Sequence, residues 1–532
     1  LPDHVMRIPG KKVSLDFNNV SVFADDGYVL YKENMTGKSG LLTKVHMPNG
    51  SSLEIGYEGK HGTADMPSYR YVMSSVTSND GNGVTVPEVN YTYDAGISLD
   101  EEDKAEYVHE ITTRFEYHNA KYNREEKEFY GYETVKTLNP DNTYVVSTYC
   151  NDINKYYKKG AILRQEVYSG SDYEHSYLME KTENTYYENA PSLLIKSAVT
   201  YQYEYDSSQT TNEDCFETKS EFEYDEYNNV KKIILSYNDE SIHDIEADIS
   251  YYKNKSLGIY SKPNSIKVYD SNDLFNPIRE RSAVYENGEL KYLRFGYIDE
   301  YGNYKNAETE FAFDEYGNIS LINSPSGVQK KIVYDTVNNQ FAEDVVDISR
   351  DNVNYDTHYK TDYATQTTKS CTDLNKLVMR YEYDDWQRLS EVYSPYDTTN
   401  PAVSYEYYTP LSAAVYKDGV NTLDKHDFWY TKTSNKVTFD SSDGKYIYTF
   451  VQSDGLGRII RSLCKTSVYQ GKDAEDKVGY AVSGSFITDN MGQVVIAGQP
   501  YLVDKSDVSF TGKEDLNLIV KNPTINKYDE KG

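Results

Sequence analysis

Among its 532 residues the chain has only two tryptophans and four cysteines, and no apolar run approaching the ~20 residues that cross a membrane. Cys150, Cys215, Cys371 and Cys464 are too far apart in sequence for a Cys-x-x-Cys pair, and no histidine stands at zinc-finger spacing from them. Basic residues are in deficit: 55 Lys and Arg stand against 85 Asp and Glu, a formal charge of −30. Such a surface excludes binding to a phosphate backbone and docking on anionic membranes, since both need clustered Lys and Arg. Catalytic signals are missing as well. His109, Glu110 and His118 do not form a metal triad. The acidic groups Asp25-Asp26-Gly27 and Asp100-Glu101-Glu102-Asp103 lack the spacing of a calcium loop. Ser453-Asp454-Gly455-Leu456-Gly457 has the glycines of a phosphate loop without its lysine, and Gly484-Ser485-Phe486 does not complete a Gly-x-Ser-x-Gly elbow. No cofactor, metal or catalytic residue is expected.

What the sequence does have is tyrosine, 56 of them against 16 phenylalanines. Tyrosine suits strands and positions that are packed at one end and wet at the other. It recurs in a short pattern: an aromatic or β-former, Asp, two free positions, Gly or Asn, then an aliphatic run. Copies begin at Tyr224-Asp225, Ile298-Asp299, Phe313-Asp314, Tyr334-Asp335, Tyr383-Asp384, Ser453-Asp454 and Thr488-Asp489. Asp is favoured at the first position of a type I turn and Gly at the fourth, where Asn is the next best residue for a positive φ. The pattern therefore predicts hairpin reversals held by Asp225 and Asn228, Asp299 and Gly302, Asp314 and Gly317, and Asp335 and Asn338. It predicts others at Asp384, at Asp454 with Gly457, and at Asp489 with Gly492. Residues ahead of each turn alternate, as in Glu221-Phe222-Glu223-Tyr224, which is the period of a strand with one packed face. Intervals between copies run from 15 residues (299 to 314) to 74 (225 to 299), too uneven for a propeller or solenoid. The last five residues, through Asp529 to Gly532, begin one more unit, so the repeat is expected to continue past residue 532.

This unit resembles the tyrosine–aspartate (YD) repeat of RHS-type proteins. A longer stretch narrows the likeness. Arg114-Phe115-Glu116-Tyr117 leads through Lys127-Glu128-Phe129-Tyr130-Gly131-Tyr132 to Val135. It is similar to the segment ahead of the repeats in the B component (TcB) of insecticidal toxin complexes and in SpvB-like virulence proteins. Gly40 to Val45, Leu53 to Tyr57, Met73 to Thr77, Asp80 to Gly83, Lys158 to Arg164 and Ser453 to Pro500 carry the same resemblance. One departure is Tyr130, which stands where the family has a basic residue.

The resemblance implies an all-β chain: an antiparallel YD-repeat sheet curling into part of a hollow shell. It divides the chain into a lead-in β-region, residues 1–200, and YD-repeat sheet, residues 201–532. It further implies a structural segment, without catalysis, of a shell that encapsulates and delivers a toxic C-terminal effector. The implied partners are further repeat or C-component shell, the toxin cargo and a pore-forming A-type component, in a protein secreted or held at a bacterial cell surface. The other reading that the tyrosines allow is an extracellular adhesin presenting aromatic sheet to glycans or a neighbouring cell.

Overall fold

The alternating segments become strands. A computed structural model describes residues 40–47, 51–80, 89–93, 99–105, 108, 110–170, 176–188, 192–203, 215–301, 304–397, 399–408, 429–437, 446–472, 475–504 and 518–528. Short strands at Ser14–Leu15, Asn19–Phe23, Val29–Glu33, Tyr416–Lys417 and Val420–Asn421 are described as well. Among these residues the only helices are three single-turn 3-10 segments, and no helix is long and apolar enough to cross a membrane.

From Lys44–His46 to Thr524–Ile525 the strands form one antiparallel sheet whose order closes on itself. Nearly every strand pairs with its neighbour in sequence, so the fold is a meander. Ile195–Tyr203 and Cys215–Tyr224 pair directly across residue 200, Ser197 opposite Glu221. A separate parallel pair, Val89–Thr92 with Leu518–Lys521, joins an early segment to a late one.

The core is local. Ile460, Ile487, Ile496 and Val520 form one buried cluster, packed by Val89, Tyr91 and Leu99; Phe450, Leu463, Tyr480 and Val482 form another. Between residues 198 and 391, by contrast, Gly288 and Asp335 alone are buried among the described residues. There the sheet is a single layer with solvent on both sides, whereas an ordinary sandwich covers its inner face at about 10 Å.

The two faces of that layer differ. Successive side chains alternate between faces, and directly opposed residues share one. One face carries charge ladders: Lys232 with Glu246 at 2.5 Å, Lys267 with Glu280 at 3.1 Å, Arg294 with Glu308 at 2.5 Å and His358 with Asp344 at 2.8 Å. The other carries apolar ladders. Phe222, Ile233, Ala247 and Val268 lie side by side over four strands. Phe311 opposes Ile322, and Ile332 opposes Val345. Tyr381, Val392 and Val403 continue the row. Arg281, stacked over Phe295 at 5.2 Å, and the Lys330–Asp347 pair interrupt it.

Candidate functional site

The YD turns share one geometry. In the turn 314–318, Gly317 N–H donates to the Asp314 carbonyl at 3.2 Å and Asp314 N–H to the Asn318 carbonyl at 2.9 Å. The Asp314 carboxylate accepts from the N–H groups of Tyr316 and Asn318, each at 2.9 Å. Gly317 takes φ +85°, and the strand before it bulges between Ala312 and Phe313. Asp225, Asp384, Asp454 and Asp489 repeat this arrangement, with Asn228, Gln387, Gly457 and Gly492 in the left-handed position. Asp299 accepts from Tyr301 N–H at 3.0 Å and pairs with Lys305 at 2.7 Å, while Gly302 lies outside the described residues, as do Asp529 and Gly532.

Asp335 departs from the pattern. Its loop is longer, closing through Asp335 N–H to the Phe341 carbonyl at 2.8 Å, and the left-handed residue is Asn339, not Asn338. The buried carboxylate gathers the N–H groups of Val337, Asn338, Asn339, Gln340 and Phe341. Burial alone would raise its pKa. The backbone donors of Asn338, Phe341, Gln340 and Val337 outweigh that and hold it well below the ordinary carboxylate range. A carboxyl whose pKa is depressed by folding stabilises above its unfolded value, about 3.9, and loses that contribution as pH falls through the folded value. Denaturation midpoints should therefore drop steeply below about pH 4, and Asp335→Asn should flatten that drop; an unchanged acid profile would contradict this.

Turns without Asp were missed from the sequence. Ser324 and Ser349 head the same reversal with Gly327 and Asn352 in the left-handed position, and Asn139 does so with Asn142. A Ser hydroxyl or Asn amide can cap the same N–H groups, so the signal was a left-handed Gly or Asn three residues after a short polar side chain. Asp314→Ala and Gly317→Val test the shared geometry. The first removes the acceptor of two N–H groups and the second puts a β-branched residue at positive φ, each costing about 1–2 kcal/mol in chemical denaturation.

Tyrosines near the strand ends have a separate task, also not legible in the sequence, in the repeat copies at Tyr224 and Tyr334 and outside them at Tyr251 and Tyr407. Tyr224 donates its phenol hydrogen to the Ile195 carbonyl at 2.9 Å, Tyr251 to Val230 at 2.8 Å, Tyr334 to Ile319 at 3.0 Å and Tyr407 to Leu389 at 2.8 Å. Each acceptor is the first strand residue after the preceding turn on the same edge. Each phenol thus ties its own hairpin to the one before. Tyr334→Phe should cost about 0.5–1.5 kcal/mol, and a neutral result would reduce the ring to simple packing.

The turns also define an edge. Because every pairing in the meander is antiparallel, Asp225, Asp314, Asp335, Asp384, Asp454 and Asp489 all fall at one end of the strands. The ends at Asp80 and Pro140 fall at the other. Yet these opposite edges meet. Gly455 N–H donates to the Asp80 carbonyl at 3.0 Å, and Asn490 Nδ2 donates to the Pro140 carbonyl at 3.1 Å. The sheet therefore closes with an offset of a whole strand length, as a spiral does.

Arg458 clamps this seam. Its Nε reaches Asp454 Oδ2 at 2.5 Å, Nη1 reaches Thr488 Oγ1 at 3.0 Å and Nη2 reaches the Val108 carbonyl at 2.6 Å. Asp80 Oδ2 lies 3.8 Å from Nη2, and both carboxylates are fully buried. Gly455 fits because a Cβ there would lie 2.2 Å from the Asp80 carbonyl oxygen and 2.8 Å from Ser51 N.

Among the described residues no three His, Cys, Asp or Glu side chains converge as a metal site, and the four cysteines are unpaired. An open depression of about 310 Å³ holds Lys331, Asp344, His358 and Asp373, with no Ser, Cys or Tyr among its lining residues.

Residues 23–165 match the family model of the insecticide toxin TcdB middle/N-terminal region. Over that stretch the chain is similar to TcB. That stretch carries the likeness in sequence, and most of the chain carries it in fold. The crystal structure of TcdB2-TccC3 superposes with a TM-score of 0.60 at 11% identity, covering 86% of this chain and 31% of that one. The same complex without its hypervariable C-terminal region gives 0.61 at 10% identity, covering 86% and 33%. The Tc holotoxin pore of Photorhabdus luminescens, with a TccC3 variant, gives 0.61 at 12% identity, covering 87% and 33%. The chain thus spans about a third of the TcB-containing chains it matches. No curated protein sequence matches it significantly. The antiparallel shell fold is shared with these TcB structures.

Proposed function

We propose that this chain is a wall segment of a hollow TcB-like shell that encloses a toxic C-terminal effector and delivers it from a secreted toxin complex. The observation that carries the proposal is the uncovered apolar face between residues 215 and 405. An apolar sheet face with no second layer over it needs an occupant. A charged, ion-paired face opposite it suits solvent. An enclosed polypeptide kept from folding supplies mobile apolar side chains for the first face without requiring a fixed partner surface. The wall itself performs no catalysis in this account. Its partners are further repeat shell of the C-component kind, the cargo, and a pore-forming A-type component through which cargo leaves.

The test is protease protection of an effector co-expressed with the full-length protein. The effector should resist digestion until the shell is denatured. Placing charges on the apolar face, as Phe311→Asp with Ile322→Asp, should lower the amount of effector retained, while Glu308→Gln on the other face should not. Digestion of the effector as fast as when free would overturn the shell reading.

A further inference from the structure

The turn after strand Leu389–Tyr393 brings Asp397 to Lys436, 39 residues further along the chain. Lys436 ends the strand Trp429–Lys436, which is paired on both sides, with Tyr446 opposite on one and Ala402 on the other. Val403 and its partner Asn435 lie on the apolar side of the wall, so Lys436 and Ala402 stand on the other face. Asp397 is fixed by its own turn: Asp397 N–H donates to Ser394 Oγ and Asn400 N–H donates to Asp397 Oδ1, each at 3.1 Å. Its Oδ2 is in direct contact with Lys436 Nζ, and the two side chains are only 9% and 6% exposed. Lys158 is as buried, but its partner Glu188 is 58% exposed. Beyond each other, neither Lys436 Nζ nor Asp397 Oδ2 has a hydrogen-bond partner among the described residues. A buried ion pair repays its lost hydration only when further hydrogen bonds serve the remaining protons and lone pairs. An ammonium carries three N–H groups, and this one meets a single oxygen. The two groups are poorly placed as an ion pair and well placed as the reactants of an amide.

We propose that Lys436 and Asp397 join in an intramolecular isopeptide bond that forms once the chain has folded. The ammonium passes one proton to the carboxylate, which leaves a neutral amine beside a neutral acid. The Nζ lone pair attacks Cγ and the Nζ–Cγ bond forms. The bond from Cγ to the protonated oxygen then breaks, and that hydroxyl leaves as water with a second proton from Nζ. One ammonium and one carboxylate thus become one amide and one water, with no oxidant, cofactor or net change of charge. Free side chains in water do not condense in this way. Here the fold fixes both backbones, and well-oriented groups reach effective molarities of about 10⁵–10⁸ M. Burial also keeps from the amide the water that would reverse the step. The bond ties the turn at 394–400 to the strand Trp429–Lys436, so a cut between residues 398 and 435 would leave the wall covalently joined. The inference concerns one pair of side chains and stands or falls whatever the wall encloses.

Tryptic peptide mapping of the full-length protein by mass spectrometry tests it. Trypsin should fail to cut after Lys436, and residues 389–417 and 433–445 should appear as one branched peptide, lighter by one water than the two linear peptides together. Fragmentation should place the branch at Asp397 and Lys436. Lys436→Arg keeps a cation beside Asp397 but offers no amine nucleophile, so it should return all of the protein to linear peptides. Asp397→Ala should do the same. Recovery of residues 433–436 as a free linear peptide from the unaltered protein, with no branched species, would overturn the proposal and leave a buried ion pair. A branched peptide that persists in Lys436→Arg would place the link on another residue and overturn the assignment.

Discussion

Arg458→Met lowers the stability of the closed sheet by about 3–5 kcal/mol, the cost of leaving buried charge without its partner. The guanidinium serves two fully buried carboxylates, a hydroxyl and a backbone carbonyl. Methionine fills much of the volume and satisfies none of them. The loss should appear in urea denaturation as a lower midpoint. It should be partly recovered in Arg458→Met with Asp454→Asn, because the second change removes one of the stranded charges. Neighbouring sites couple, so the double variant should be more stable than the sum of its single changes. A loss below about 1 kcal/mol would mean that water reaches the clamp and that the seam is open.

Gly455→Ala should cost about 1–3 kcal/mol although it adds a single methyl group. The obstacles are the Asp80 carbonyl and the Ser51 nitrogen, both main chain, so neither can rotate away. Gly457→Ala, two residues on, is the control: a Cβ there meets nothing within 4 Å, and its cost comes from φ +84° alone. Hydrogen exchange separates the two. Gly455→Ala should speed exchange near Asp80 and in the parallel pair Val89–Thr92 with Leu518–Lys521, while Gly457→Ala should act within its own hairpin. Equal and local effects would remove Gly455 from the seam.

The architecture was legible in the sequence wherever one residue type meets one backbone requirement. Asp followed three residues later by Gly or Asn marks a type I turn with a left-handed fourth residue, so Asp225, Asp314, Asp454 and Asp489 could be placed as turn residues from spacing alone. Asp335 shows the limit of such reading. Two consecutive asparagines offer two registers, and the five N–H groups gathered by its carboxylate select the longer loop that puts Asn339 at positive φ. The seam could not be read at all. Arg458 and Asp80 are hundreds of residues apart, and their meeting depends on the accumulated twist and offset of all the strands between them. The tyrosine ties were hidden for a related reason: composition shows that Tyr is abundant, but only the paired strands show that phenols such as those of Tyr224 and Tyr334 reach the first strand carbonyl after the preceding turn.

The central claim is a wall one sheet thick around a hollow interior, and imaging the full-length protein by single-particle electron cryo-microscopy tests it most directly. The account predicts that residues 215–405 form a single continuous sheet, with solvent beyond its charged face and an enclosed space beyond its apolar face. A second sheet packed about 10 Å from the apolar ladders of Phe222, Phe311 and Ile332 would contradict it, because the molecule would then be a filled sandwich with no room for cargo.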